Sequence, residues 1–159
     1  MIRVLQFLGL LPGTLLVWLG YILPAWKLRW IRFDDRPAPF VWSFVLRSRA
    51  PDFYHRYWED WMGWSGPCVI ITKQDPSDSD RYARTLQHEL EHCRQQFRFG
   101  IVFYPLYALM FGIIYVMYPD LHPYYDNPFE VGARKAAGQR VKITRDDWTL
   151  WRGQRNPWW

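Results

Sequence analysis

Five consecutive residues, His88-Glu89-Leu90-Glu91-His92, carry the side chains best suited to chemistry in this chain of 159 residues. They match the pattern H-E-x-x-H. Residues four apart lie on one face of an α-helix, so both imidazoles can reach a single metal ion. Zinc lowers the pKa of a coordinated water to about 7, and the Glu beside the first His can take a proton from that water. Glu89 is therefore the predicted general base.

A hydrolytic zinc site usually has three protein ligands and one position for water, so a third ligand must come from outside the motif. The pattern H-E-x-x-H-x-x-G-x-x-H would supply another histidine, but positions 95 and 98 are Gln and Arg, which excludes that class. Glu130 is the strongest candidate, because it stands in the first turn of a second predicted helix that continues to about Arg140. The other candidates are Asp120, His122 and Asp126.

Glu130 also has a purely structural interpretation. Asn127 as the N-cap, Pro128 at the first helical position and Glu130 at the third form a capping box, which stabilises a helix start without any metal. Distances distinguish the two. Ligands of one zinc ion bring their donor atoms within roughly 3–4 Å of one another, whereas separations beyond about 7 Å would indicate only a cap.

The motif and its surroundings resemble a known class of enzymes. H-E-L-E-H, followed by R-Q-Q, an apolar helix and then N-P-F-E-V-G-A-R, is similar to small gluzincin-type zinc metallopeptidases with the pattern HExxH…NPxExxA, which phages and bacteria often encode. The similarity covers Leu86–Ala137. It implies a zincin-like fold, a peptide or protein substrate and Zn²⁺ as the cofactor. The implied roles are His88, His92 and Glu130 as zinc ligands and Glu89 as the general base.

One position departs from this resemblance. Thermolysin-like enzymes have an Asp four residues after the ligand Glu, which orients the first zinc-binding histidine, whereas this chain has Arg134 there. Such partners tune metal affinity, so a weaker or degenerate site is the alternative. Two classes of function stay open: a zinc peptidase, and a non-enzymatic membrane or virion-associated protein with a structural or degenerate zinc site. An amidase or another zinc hydrolase is a third interpretation.

The elements that must position these residues form a predicted α+β fold, a mainly helical, zincin-like minimal domain with a short sheet. Asp80–Phe99 has apolar residues at helical spacing and is the predicted motif helix. Val41–Leu46 and Cys68–Lys73 are rich in β-branched and aromatic residues and predict short strands. The aromatic segment Asp52–Trp64 predicts an amphipathic helix, and Gln74–Asp80 predicts a polar loop.

The run Val4–Trp26 contains no charged residue and is long enough to cross a bilayer, which takes about 20 residues. We predict residues 1–29 as a membrane anchor that contacts lipid and residues 30–159 as the metallopeptidase domain. The positive-inside rule places that domain in the cytoplasm, because basic residues follow the run. An in-plane or kinked helix and a cleaved signal sequence are the alternatives. The basic residues are Lys27, Arg29, Arg32 and Arg36.

A second uncharged run, Phe99–Pro119, lies between His92 and Glu130. A single membrane crossing there would separate these two residues, so one zinc site and one crossing are mutually exclusive. Pro105 and Gly112 interrupt the run, and a helix packed on the motif helix or a re-entrant hairpin is the prediction.

The remaining composition excludes several classes of protein. Half of the residues are hydrophobic, which excludes a disordered chain, and two cysteines are too few for a disulfide framework. The net charge of +5 comes without a recognition motif for nucleic acid, so we predict no nucleic-acid partner. The segment Thr144–Trp159 contains several Trp and Arg residues. It is predicted either to lie at a lipid surface or to cover the catalytic core.

Overall fold

The computed structural model describes residues 2–51, 63–73 and 79–141 and has an α+β fold, as predicted. The N-terminal helix comprises α1 (Ile2–Val17), a π-helical turn (Trp18–Ile22) and α2 (Leu23–Lys27). The strands are β1 (Ile31–Ala38), β2 (Val41–Leu46), β3 (Gly63–Gly66) and β4 (Val69–Thr72). The remaining elements are α3 (Ser79–Phe99), a 3₁₀ turn (Gly100–Val102), α4 (Phe103–Met117) and α5 (Pro128–Ala136).

The four strands form one mixed sheet in the order β1-β2-β4-β3. β2 and β4 are parallel, and each also pairs with an antiparallel strand at the edge of the sheet. Ile70 packs on one face of the sheet with Leu90 of α3, while Val69 and Ile71 pack on the other face with Ile22 of the N-terminal helix. Each of these buried aliphatic side chains contributes about 1.5–3 kcal/mol. The sheet therefore lies between the C-terminal part of the N-terminal helix and the motif helix, while α1 also contacts α3 directly.

Two predicted strands are confirmed, and two strands were not predicted. β2 has the predicted bounds, and β4 lies within the predicted range. β1 contains Asp34, Asp35 and Pro37, which are rare in strands, but an edge strand tolerates proline. Trp64 lies in β3 and not at the end of a helix, so that end of the predicted helix is wrong. Outside the described residues lie most of the predicted segments Asp52–Trp64 and Gln74–Asp80 and the whole of Thr144–Trp159.

The N-terminal helix packs along the protein with one face. Leu10, Thr14 and Ile22 are buried on that face. A Cβ atom added to Gly13 would lie 3.3 Å from Pro67 Cγ in the turn between β3 and β4, so the approach is close. The opposite face is apolar and exposed, with Leu16 at 74% of its full exposure. The helix is therefore part of the folded body and also presents an apolar outer surface.

The second apolar run forms α4, which is less buried than predicted. Phe103 and Ile114 are its buried residues, whereas Val116 is 77% exposed. After α4 the chain turns back, and the Asn127 side chain donates to the Tyr107 carbonyl oxygen (3.2 Å) near the start of that helix. The run is therefore one helix and not a hairpin, and the loop that follows it brings the chain back towards the start of the helix, so His92 and Glu130 lie on one side as the motif required. Burial against the motif helix is wrong for most of it.

Two helical stretches, Gln6–Lys27 and Ser79–Met117, are long and apolar enough to cross a membrane by length and composition. The second combines the charged motif helix with α4, and its two parts are separated by Gly100, whose φ is +61°. Since α3 also packs on the sheet, only the α4 part of this stretch presents a mainly apolar surface.

Candidate metal centre

The motif residues lie on the inner face of α3, which confirms the predicted helix and extends it by one residue. His88, Glu89 and His92 are all buried, while Glu91 forms an ion pair with Arg94 (3.1 Å). Three polar side chains at i, i+1 and i+4 thus face the interior, where unpaired polar groups are costly. These buried side chains therefore need polar partners from another element of the fold.

α5 supplies that partner from its first turn. The Asn127 side chain accepts a hydrogen bond from the Phe129 amide (3.2 Å), so Asn127 is the N-cap as predicted. The main-chain amide of Asn127 donates to the Tyr124 carbonyl oxygen (3.2 Å) and not to the Glu130 side chain. The reciprocal half of the predicted capping box is therefore absent at this described helix start, and the Glu130 carboxylate points to α3.

His88, His92 and Glu130 meet at one point, and all three are buried. Glu130 Oε2 lies 3.3 Å from His88 Nε2, and Glu130 Oε1 lies 3.2 Å from His92 Nε2. The two Nε2 atoms are 3.2 Å apart. These distances are in the range expected for donors around one ion. The structure brings the three predicted ligands together, and the group could hold a metal ion.

Gln95 determines which nitrogen of His92 carries hydrogen. Its amide nitrogen donates to the Phe129 carbonyl oxygen (2.9 Å), so its amide oxygen faces His92 Nδ1 at 3.0 Å. An amide oxygen only accepts hydrogen bonds, hence Nδ1 is the donor and Nε2 of the neutral ring keeps its lone pair. That lone pair faces Glu130. A neighbour that orients the second nitrogen in this way is typical of metal-binding histidines.

His88 is oriented by Gln139, which the sequence analysis did not identify. Gln139 Oε1 lies 3.0 Å from His88 Nδ1. Gln139 reaches this place because α5 ends at Ala136, before the predicted Arg140. Gly138 has φ +65°, and the Gln139 amide donates back to the Arg134 carbonyl oxygen (2.9 Å), which turns the chain towards α3.

The donor set fits a metal cation, because three electron-pair donors converge and no lysine or arginine among the described residues forms an ion pair with Glu130. Glu130 Oε2 is buried and has no hydrogen-bond partner among the described residues. Two imidazole nitrogens and one carboxylate oxygen form a ligand set that zinc takes in hydrolytic enzymes. The residues present therefore fit the metal that the motif predicts.

The two imidazole rings and the Glu130 carboxylate also shift each other's pKa. Burial alone would raise the pKa of Glu130, but the adjacent His92 and His88 rings hold it well below its usual range. Burial lowers the pKa of His92, yet Glu130 outweighs this effect and raises it to about 9. A proton and a metal ion therefore compete for the same place, so we expect metal binding to weaken as the pH falls.

Glu89 lies beside this group and under β3. Burial raises the pKa of Glu89, while the His88 and His92 rings and a hydrogen bond to Ser65 oppose the rise. A Cβ atom on Gly63 would lie 2.8 Å from Glu89 Oε1, so the strand rests directly on the carboxylate.

A cavity of about 280 Å³ opens next to these residues. Glu89, His92 and Glu130 line it on one side, and β3 lines it on another. The hydroxyl of Tyr107 donates to Glu130 Oε1 (2.8 Å), a contact for which the apolar run gave no sequence signal. Tyr124 also lines the cavity.

Two of the alternative ligands, His122 and Asp126, have structural roles, and the third, Asp120, is exposed and not part of the group that meets at Glu130. Asp126 Oδ2 accepts from the His122 amide (2.7 Å), and His122 Nδ1 accepts from the Tyr124 and Tyr125 amides (3.2 Å each). Arg134, at the position that departs from the thermolysin-like pattern, is buried and donates to the Tyr125 carbonyl oxygen (2.9 Å). These side chains stabilise the loop before α5 and thereby position Glu130.

No family model, no curated protein and no solved structure matches this chain. The similarity to gluzincin-type peptidases therefore depends on the motif residues and stays a prediction.

Proposed function

We propose that this protein is a membrane-associated, zinc-dependent peptidase. The observation that carries the proposal is the buried convergence of His88, His92 and Glu130, with Glu89 beside them and a cavity next to all four. When bound, zinc would act as a Lewis acid and would lower the pKa of a coordinated water. The finer assignments, zinc as the metal and a peptide as the substrate, belong to this proposal.

Glu89 has the position and the environment of a general base. The Glu89 side chain is buried, with 7% exposure, and burial raises its pKa towards neutral pH. A pKa near the working pH makes a group efficient both at taking up and at releasing a proton. In the proposed reaction Glu89 takes a proton from the attacking water and then delivers it to the leaving amine. The Ser65 hydrogen bond and Gly63 hold the carboxylate towards the cavity.

The position of β3 supports an extended peptide as the substrate. β3 is the end strand of the sheet as described, and Gly63, Trp64 and Ser65 line the cavity. An edge strand can bind a peptide by adding it as a further strand through main-chain hydrogen bonds. A peptide bound in this way would pass beside Glu89 and the metal ligands.

The apolar outer surface supports association with a membrane. The N-terminal helix buries one face on the protein and exposes the other, and the 3₁₀ turn that contacts α1 exposes Ile101. A helix that is buried on one side and apolar on the other suits the plane of the interface better than a crossing. We propose that the protein lies on the cytoplasmic face of the membrane, since Lys27 and Arg29 follow the helix and the acidic lipids that attract such residues are in the cytoplasmic leaflet.

Glu89→Gln tests the enzymatic part. We expect the variant to keep one zinc per chain, measured by elemental analysis. Cleavage of a mixed peptide library, identified by mass spectrometry, should fall by about 10²–10⁴-fold, the usual contribution of a general base.

Glu91→Gln is the matched control, because Glu91 lies in the same motif but faces away from the cavity in an ion pair with Arg94. Its zinc content and cleavage rate should equal those of the unaltered chain. Retained zinc without any effect of Glu89→Gln would favour the alternative, a non-enzymatic protein with a structural zinc site. A purified chain without stoichiometric zinc would contradict the proposal as a whole.

A further inference from the structure

A second cavity, of about 680 Å³, lies at the C-terminal end of the N-terminal helix, and cations surround it. None of the described residues that line this cavity is acidic. The basic residues are Lys27, Arg29, Arg32, Arg47 and Arg49. The sequence places the first three close together, but Arg47 and Arg49 reach the cavity only through the fold.

Main-chain hydrogen bonds bring these segments together. The Trp30 amide donates to the Ala25 carbonyl oxygen (2.8 Å) and ends the helix, and the Arg47 amide donates to the Trp30 carbonyl oxygen (2.8 Å). The Arg49 side chain donates through Nε to the Arg29 carbonyl oxygen (2.8 Å). The cavity thus has a fixed wall.

Arg29 lies at a position that favours glycine. Its φ is +59°, and it follows a helix end at which a left-handed residue is usually Gly or Asn. Main-chain hydrogen bonds hold it in this conformation: the Arg29 amide donates to the Trp26 carbonyl oxygen (2.9 Å), and its own carbonyl oxygen accepts from Arg49 Nε, so Arg29 is fixed at the cavity.

The arginines crowd one another. Desolvation, and then the like charges of Arg47 and Arg29, lower the pKa of Arg49. Asp34 and Asp35, which follow Arg32 on β1, do not line the cavity, and the first carboxylate after Arg49, Asp52, lies outside the described residues. A bound anion would relieve this repulsion.

The same cavity touches the apolar outer surface. Leu23 and Trp26 line it, and both are exposed on the N-terminal helix, Trp26 at 57%. An apolar surface that continues into a cationic cavity has the order of groups that a phospholipid presents, acyl chains next to a phosphate. Trp is also a typical residue at the headgroup level.

We propose that this cavity binds the phosphate group of an acidic phospholipid in the membrane. The assignment goes beyond the proposed hydrolysis and rests only on the membrane association proposed above. Acidic lipids attract clustered Lys and Arg side chains at a bilayer surface, and the arginine fork suits phosphate oxygens. The cavity would therefore select the lipid and fix how the helix end sits in the interface.

Binding of the full chain to phosphatidylcholine vesicles with and without phosphatidylglycerol tests this assignment. We expect tighter binding to the acidic vesicles. The variant Arg47→Gln/Arg49→Gln should lose about fivefold of that preference for each arginine removed, or about 25-fold in all. The matched control is Arg84→Gln/Arg98→Gln, which removes two exposed arginines of α3 that do not line the cavity. Flotation with the vesicles measures the bound fraction, and circular dichroism checks the fold.

Equal losses in the two double variants would overturn the proposal, because they would show an effect of net charge alone. Displacement from acidic vesicles by inorganic phosphate, but not by chloride at equal ionic strength, would support a phosphate-binding cavity. Saturable binding of inorganic phosphate without any preference for acidic vesicles would show that the ligand is a free anion and would overturn the lipid assignment. Equal binding to both kinds of vesicle would contradict the proposed headgroup site but not the proposed hydrolytic function. Failure of the hydrolytic proposal would appear separately, in zinc content and peptide cleavage.

Discussion

Gly63 shows how a missing side chain positions a reactive one. A Cβ atom there would lie 2.8 Å from Glu89 Oε1 and 2.9 Å from Glu89 Cγ, so the strand can approach the carboxylate only as glycine. Together with the Ser65 hydrogen bond, this close backbone contact restricts the direction of the carboxylate that we propose as the general base. The same approach leaves the edge of β3 next to the cavity.

Gly63→Ala therefore tests the position of Glu89 without changing any predicted ligand. We expect peptide cleavage to fall by at least tenfold, while zinc content stays at one per chain. Overpacking of this kind costs about 1–3 kcal/mol of stability, which thermal unfolding measures. Gly112→Ala on α4 is the control, since nothing lies within 4 Å of its added Cβ. An unchanged cleavage rate in Gly63→Ala would show that Glu89 has room to move and does not depend on this contact.

Among the elements, those that position the motif could be predicted and those that orient it could not. α3 and β2 follow from local periodicity, and Asn127 with Pro128 marks the start of α5 through local capping chemistry. Gln139 reaches His88 across a sequence separation of 51 residues, which no local pattern encodes. Tertiary contacts of this kind also explain why β1, with two Asp and one Pro, is a strand.

The end of α5 gives a prediction at this scale. Gly138→Ala places a Cβ on a residue with φ +65°, which costs about 1–2 kcal/mol and favours a longer helix. Gln139 would then turn away from His88. We expect zinc affinity to fall by about 10–100-fold, as for other lost partners of metal-binding histidines. Competition with a chromogenic chelator measures the affinity.

Gly100→Ala is a matched control for that substitution. Gly100 has nearly the same backbone conformation, φ +61°, and nothing lies within 4 Å of an added Cβ. It should lose similar stability but keep the zinc affinity of the unaltered chain. Equal affinity in both variants would contradict the role of Gln139.

At the scale of the whole molecule, the sheet links the two sites that we propose. Its one face packs on α3, which carries the metal ligands, and its other face packs on the N-terminal helix, which ends at the basic cavity. A membrane contacted by the outer face of that helix would therefore lie on the side of the helix that faces away from the sheet. The predicted metal ligands are buried inside the folded body, where α1 also contacts α3.

An in-plane helix makes a prediction that differs from that of a membrane crossing. Gln6→Cys introduces a thiol near the start of the apolar run, and Arg36→Cys introduces one on β1, which follows the run, whereas the native Cys68 and Cys93 are buried. If one face of the helix stays on the protein, both new thiols lie on the same side of the bilayer. We expect a membrane-impermeant maleimide, added to that side of sealed vesicles, to label each single variant and to leave the unaltered chain unlabelled. Labelling of Gln6→Cys only after the vesicles are opened would instead indicate a crossing, and the N-terminal helix would then have to leave the sheet that buries Ile22 and Ala25.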